Sequence, residues 1–356
     1  MKKYFPPSEL IINEDGSVFH LHVKPEHLAD KVILVGDPGR VALVASHFET
    51  KECEVESREF RTITGTYKGK RITVTSTGIG CDNVDIVMNE LDALANINFQ
   101  TREENDNFRQ LEIVRIGTCG GLQPYTPVGT YICSEISVGF DGLLNFYEGR
   151  NAVCDLPMER ALLNHLGWSG NLCAPAPYVI HANKELVERI AGTDMVRGVT
   201  VACGGFFGPQ GRQLRIPLAD PHQNEKIESF EYQGHRITNF EMESSALAGL
   251  ARLQGHKATT VCMVIANRVA KEANTGYKNK IERPDKDSAC SESDIYNSSF
   301  FIYTGSSVYC RGTCFVKKKQ QLFRIFMEAS FKQDSKLNKA ERYQFFSYTT
   351  YTPYRR

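Results

Sequence analysis

The stretch Thr238-Asn-Phe-Glu-Met-Glu-Ser-Ser-Ala-Leu247 decides the fold class. It ends an apparent strand and opens a helix: from Met242 to Leu253 apolar residues recur at helical spacing, and Gly255 supplies a stop. A strand handing over directly to a helix is the unit from which α/β folds are built. Working outward, the alternation repeats. KVILV (31–35), RITVTST (71–77), LEIVRIG (111–117), TYICSEISVG (130–139) and TTVCMVIA (259–266) are short, β-branched and bounded by Gly, Pro or polar residues, as buried strands are. Asp82 to Ile97 carries Val84, Ile86, Val87, Leu91, Leu94 and Ala95 on one helical face. Residues 1–282 therefore read as one α/β domain, a largely parallel sheet covered by helices, with function expected at the C-terminal ends of the strands.

Composition excludes several classes. Of 356 residues, 41% are hydrophobic and 24% charged, with a formal net charge of zero, so neither a nucleic-acid nor a membrane partner is expected. The start, MKKYFPPSELIINEDG, has no apolar run of secretory type, and no stretch approaches the roughly 18 apolar residues of a membrane span. Eleven cysteines without a framework spacing fit reduced thiols and a cytoplasmic location.

From Arg283 the character changes. The tail 283–356 holds 15 of the 35 Phe and Tyr residues among Ser, Lys and Cys, with no clean period. Cys310 and Cys314 lack partners at zinc spacing. One permitted set of codons for Arg283–Asp294, read a nucleotide later, spells GLIKTLLVLNR, an amphipathic helix. A frameshift-derived or poorly ordered tail is one reading, and a genuine accessory segment is the other.

Three glycine-rich turns follow strands. In VGDPGR, Gly36 lets the backbone approach a ligand and Arg40 can clamp an oxyanion; an ordinary Asp-Pro-Gly turn with a surface arginine is the alternative. STGIGCDN (76–83) misses the dinucleotide fingerprint, because Asn83 stands where the third glycine belongs and no acid follows at the ribose position. In VRIGTCGG, Arg115 sits inside an otherwise apolar strand, where an arginine is rarely buried unpaired. Thr118, Cys119 and Gly120 follow with a hydroxyl and free amides, so this strand end reads as an anion site, phosphate being the common choice. The absence of a P-loop lysine argues against a nucleoside triphosphate.

Glu241 and Glu243 would repel an anion that they faced directly. They suit sugar hydroxyls, two neighbouring O–H groups matching one carboxylate. The other reading is that they decorate a helix N-terminus, where negative charge is favourable, and the residues alone leave both open. A phosphate site beside a ribose site points to nucleoside or nucleotide chemistry. His22 beside His20 has no third ligand, and Cys119 has no histidine positioned to activate it, so neither reads as a metal site or a nucleophile.

In order along the chain, GDPGR (36–40), REF (58–60), STGIG (76–80), RIGTCGG (115–121), FFGPQGR (206–212) and NFEMES (239–244) resemble the nucleoside phosphorylase-I family, from about His20 to Gly276. The resemblance implies one α/β domain whose mixed, partly barrel-like sheet is flanked by helices. It implies reversible phosphorolysis, in which phosphate attacks C1′ of a nucleoside and releases the base and ribose 1-phosphate. No metal and no cofactor is implied, inorganic phosphate being a substrate. Gly36, Arg40, Arg115 and Thr118 become phosphate ligands, with Arg58 supplied by a neighbouring subunit. Met242 and Glu243 are assigned to the ribose, Glu241 to the same pocket wall, and His20 to the ribose 5′-hydroxyl across the interface.

Gln210 and Arg212 match a uracil-recognising pair that stabilises charge on the departing base, and Phe206 stacks beside base or sugar. Ile265 stands where purine members of the family carry an aspartate. The implied substrates are therefore uridine and phosphate, with catalysis resting on Arg115, Gln210 and Arg212. Shared sites make a homodimer the smallest competent unit, and a homohexamer is the implied assembly. The alternatives are a non-catalytic nucleoside-binding relic, a purine nucleoside phosphorylase, or a nucleosidase of the same fold, against which Arg40, Arg58 and Arg115 together argue. Segments 98–110 and 141–170 look different from compact members, which leaves pocket closure open, and the tail stands where the family's last helix packs on the core.

Overall fold

A computed structural model describes residues 2–168, 175–269 and 272–273. KVILV forms β1 (Lys31–Val35), and Asp-Pro then opens α1 (Pro38–Ala45): the Asp37 carboxylate accepts the Gly39 N–H at 2.9 Å, and Pro38 occupies the first turn. Three strands follow as a meander, β2 (Thr50–Ser57), β3 (Phe60–Tyr67) and β4 (Lys70–Ser76). Helix α2 (Cys81–Asn96) leads through a small hairpin, β5 (Ile97–Asn98) and β6 (Glu103–Glu104), into the long β7 (Glu112–Gly121) and β8 (Tyr131–Gly139). Then come α3 (Arg150–Val153), α4 (Leu156–Leu166), β9 (Tyr178–His181), α5 (Lys184–Ile190) and β10 (Met195–Ala202). The order ends with α6 (Gln223–Ser229), β11 (Glu231–Tyr232), β12 (His235–Glu241), α7 (Ser244–Gln254), β13 (Lys257–Asn267) and β14 (Glu272–Ala273). The boundary expected at 282/283, the tail 283–356 and its Cys310 and Cys314 lie outside the described residues.

The large sheet runs β11-β12-β10-β8-β13-β7-β1-β4-β3-β2. β1 is parallel to β4 and β7, and β13 is parallel to β7. β13 is antiparallel to β8, however, and the β2–β3–β4 meander is antiparallel throughout. The largely parallel sheet expected from strand–helix alternation is thus corrected to a mixed one, because two-residue turns in the meander return the chain antiparallel. The sheet also closes on itself. β12 pairs with β10 and, at its end, with β7, Asn239 opposite Gly121 and Phe240 opposite Gly120. β12, β10, β8, β13 and β7 therefore make a ring, the partly barrel-like sheet that the family resemblance implies.

Helices α2 and α7 pack together and share an apolar cluster that includes Val84, Val87, Leu91, Leu247 and Leu250. All of Ser244–Ala251 is buried, so α7 is enclosed rather than amphipathic. Its small residues make that possible: a Cβ at Gly249 would come within 2.8 Å of Leu144. Burial of Leu247 and of Leu250 contributes about 1.5–3 kcal/mol each. Gly255, at φ 82°, ends the helix in the left-handed region as the sequence predicts. Loops leave the C-terminal ends of β1, β4, β7, β10, β12 and β13 around one opening, where open α/β sheets gather their ligands. Among the described residues no helix is long and apolar enough to cross a membrane.

Candidate active site

At that opening lies a cavity of about 760 Å³. Gly36 lines it from the β1–α1 turn, Arg40 from the first turn of α1, and Arg115 and Thr118 from β7. Phe206, Gln210 and Arg212 reach it from the loop after β10, Glu241, Met242 and Glu243 from the β12–α7 seam, and Ile265 from β13. A wider groove of about 1130 Å³ opens beside it past Arg212, walled by Phe207, Leu214 and Ile216, but the buried ion pairs belong to the smaller cavity. No described residue of 98–110 or 141–168 lines that smaller cavity.

The centre of the site is one guanidinium held by two carboxylates. Arg115 Nη1 lies 3.2 Å from Glu241 Oε2, and Nη2 donates to Glu243 Oε2 in a short contact. All three side chains are buried. Burial opposes the charge on Arg115, but Glu243 and Glu241 outweigh it and hold the guanidinium above its ordinary value. Burial pushes the Glu241 carboxyl up to about 7; Arg115 pulls it down, and the Glu243 charge adds to the rise.

The two acids differ in what else they hold. Glu241 accepts the Glu243 N–H at 2.9 Å, the Ser244 N–H at 2.9 Å and the Ser244 hydroxyl at 2.6 Å, so it caps α7 from two residues upstream. The helix-terminus reading is therefore right for Glu241. Glu243 instead accepts the Gly80 N–H at 2.9 Å through Oε1. Gly80 has φ 101°, a backbone only glycine adopts readily, so STGIG delivers an amide to a carboxylate rather than to a pyrophosphate.

The anion end lies beside this pair. A Cβ placed on Gly36 would meet Arg40 Nη2 at 3.2 Å, the Gly78 carbonyl at 3.2 Å and Arg115 Nη2 at 3.9 Å. The missing side chain is what leaves room between two guanidinium groups. Arg40 is fixed through Nη1 to the Ile116 carbonyl at 3.2 Å, and burial followed by the Arg115 charge lowers its proton affinity. With both acids ionised, Arg40 and Arg115 balance Glu241 and Glu243 charge for charge, and the other charged residues described in the cavity wall are Asp37, Glu59 and Arg212. Cys119 is buried beside Thr118, and burial raises its thiol well above the ordinary range, as befits a small filler.

At the other end Gln210 is buried and its amide is fixed. Oε1 accepts Arg212 Nη1 at 2.5 Å and Arg268 Nη2 at 3.3 Å, and Arg268 Nη1 also donates to the Gln210 carbonyl. Arg212 lies 3.6 Å over the Phe206 ring. Burial and the neighbouring Arg212 lower Arg268 to about 10. Sequence reasoning gave Arg268 no role; an arginine directly after a buried strand was the available signal.

Arg58 and His20 do not line the cavity. Arg58 sits exposed in the β2–β3 turn at φ 54°, while its neighbour Glu59 faces the cavity. His20 is tied to Glu90, an acid on α2 that sequence reasoning passed over. Among the described residues no group of three or more His, Cys, Asp or Glu could hold a metal ion.

A ring-closed mixed sheet with paired guanidinium groups and acids at its strand ends defines a class, and the chain belongs to the phosphorylase superfamily, whose family model matches residues 30–289. Over 280 residues it is 32% identical to a uridine phosphorylase of Thermococcus kodakarensis, covering 76% of this chain and 85% of that one. It is also 27% identical to a purine nucleoside phosphorylase DeoD-type of Anoxybacillus flavithermus, over 72% of this chain and 89% of the relative. The crystal structure of a Trypanosoma brucei nucleoside phosphorylase that shows uridine phosphorylase activity superposes with a TM-score of 0.70 at 25% identity, covering 90% of this chain and 98% of that one.

Proposed function

We propose that the chain catalyses the reversible phosphorolysis of uridine to uracil and ribose 1-phosphate. Phosphate is held by Gly36, Arg40, Arg115 and Thr118, with Arg58 of a second copy adding a further positive charge. The ribose hydroxyls bind Glu243, whose oxygens each carry one protein donor, whereas the Glu241 oxygens are filled by α7, so Glu241 positions Arg115 and the seam. Met242 packs against the sugar, and His20 of the second copy reaches its 5′-hydroxyl.

A phosphate oxygen attacks C1′ as the bond from C1′ to N1 of uracil breaks, and the bonding pair leaves on the base. Positive charge develops on the ribose ring next to the phosphate, and negative charge spreads to the uracil carbonyls. Donors fixed before the reaction stabilise that second charge best. The Gln210 amide oxygen is engaged by Arg212 and Arg268, and one amide N–H reaches the Glu241 carbonyl at 3.4 Å. Its second N–H is the donor for the departing base, and Phe206 closes one face of the pocket.

The observation that carries the uridine reading is this Gln210–Arg212–Arg268 cluster, whose Gln210 and Arg212 line the same cavity as the apolar Ile265. The likeness to the Thermococcus uridine phosphorylase and the Trypanosoma enzyme supports it, while the purine relatives make inosine the informative competitor. Rates with uridine and inosine at one phosphate concentration test it. A higher kcat/KM for uridine is expected, and a higher value for inosine would overturn the base assignment. A homodimer with shared sites, assembled further into a homohexamer, and a cytoplasmic location belong to the same proposal, with no metal or further cofactor.

A further inference from the structure

Glu90 lies in the middle of α2, flanked in sequence by Val87, Met88 and Leu91 of the apolar cluster. A buried carboxylate is costly unless its oxygens find donors. Among the described residues, its hydrogen-bond donors all come from one loop. Oε1 accepts the His20 N–H at 2.9 Å, Oε2 accepts the Leu21 N–H at 2.8 Å, and His20 Nδ1 lies 2.6 Å from Oε1. The two backbone bonds alone would staple the loop, whatever residue stood at 20. The third bond goes to the imidazole, which stapling does not require. An ionised carboxylate only accepts, so the proton in that bond sits on Nδ1, and a neutral ring then offers Nε2 as an acceptor. Phe19 and Phe60 meet the ring edge-on, with centroids 4.8 and 6.5 Å away, and the side chain keeps 28% of its surface exposed.

We propose that Glu90 is a positioning residue for nucleoside recognition. It holds His20 as the Nδ1–H tautomer, with Nε2 directed away from α2 to accept the hydrogen bond of a ribose 5′-hydroxyl in the cavity of a second copy of the chain. The inference rests on the reading of His20 given under Proposed function. Without Glu90 the ring is free to rotate and to change tautomer, and its bond to the hydroxyl is lost on average.

The test compares kcat/KM for uridine with that for 5′-deoxyuridine, which lacks only that hydroxyl, in wild type, Glu90→Gln and His20→Ala. The uridine to 5′-deoxyuridine ratio falls about tenfold in both variants and to a similar value, the loss of one hydrogen bond to a substrate hydroxyl. A Glu90→Gln ratio equal to wild type, or equal losses for both substrates, overturns the role of Glu90 and leaves the proposed function standing. A His20→Ala ratio equal to wild type, with uridine still consumed, overturns the reading of His20 and this inference with it. No phosphate-dependent turnover of uridine by the wild type overturns the proposed function as well. Should Glu90→Gln fail to fold, nitrogen-15 NMR of the wild-type histidines decides the matter: protonated Nδ1 with unprotonated Nε2 on His20 is the expected signature, and a protonated Nε2, with or without Nδ1–H, overturns the proposal.

Discussion

Arg115 Nη1 lies 3.2 Å from Glu241 Oε2, joining the middle of β7 to the last residue of β12. This bond and the Arg115–Glu243 contact place one cation between two acids that sit a single residue apart. Removing the cation would leave two buried carboxylates uncompensated. Arg115→Ala is therefore expected to lose about 3–5 kcal/mol of stability in urea titration, together with phosphate-dependent turnover. Wild-type activity in that variant would mean that the anion site is misplaced.

The raised Glu241 carboxyl gives a stability signature. The folded state holds this proton more tightly than the unfolded chain, so Glu241's contribution is full below its ordinary value of 4.5, falls as pH rises toward about 7, and is constant above. Denaturation midpoints of wild type and Glu241→Gln across pH 4–8 check it: the difference between the two curves should carry that slope, and parallel curves would refute it.

At Gly36 the substitution Gly36→Ala puts a methyl group 3.2 Å from Arg40 Nη2 and from the Gly78 carbonyl. The arginine can swing away, but the backbone carbonyl cannot. Moderate destabilisation of about 1–3 kcal/mol is expected. The diagnostic effect is a KM for phosphate raised more than the KM for uridine. An unchanged phosphate KM would remove Gly36 from the anion site.

At the base end Gln210→Ala removes an amide donor whose oxygen is held by Arg212 and Arg268 and whose nitrogen reaches the Glu241 carbonyl. Its kcat/KM for uridine should drop by about 10²–10³, the usual consequence of losing one preorganised donor to developing charge. A loss smaller than tenfold would place uracil recognition elsewhere.

Shared sites can be tested by mixing. Arg58→Ala chains keep an intact cavity wall, and Arg115→Ala chains keep an intact Arg58. Each variant alone should be inactive, and subunits mixed in equal amounts and allowed to exchange should regain roughly a quarter of wild-type activity, since half the dimers are mixed and each has one complete site. Absence of recovery, with exchange confirmed by mass, would place Arg58 in its own chain's site or in none.

Much of this was legible in the chain, for reasons that differ by element. β1, β7 and β13 were readable because buried strands show as unbroken β-branched runs, and Arg115 stood out as a charge inside one of them. The meander strand β2, TKECEVES, was missed because its exposed edge carries lysine and glutamates in place of an apolar pattern. Closure of β12 onto β7 pairs residues far apart in sequence, which no local window reports. The division of labour between Glu241 and Glu243 was equally hidden, since it depends on which amides face each carboxylate. Glu90 looked like an ordinary helical acid, and only the three-dimensional loop around His20 gives it partners.

The most direct test of the central claim is uridine consumption by the full-length chain, followed by absorbance with and without inorganic phosphate. Release of uracil that requires phosphate, with ribose 1-phosphate as the second product, is the predicted result. Release at the same rate without phosphate, or phosphate-independent binding of uridine with no turnover, would contradict it.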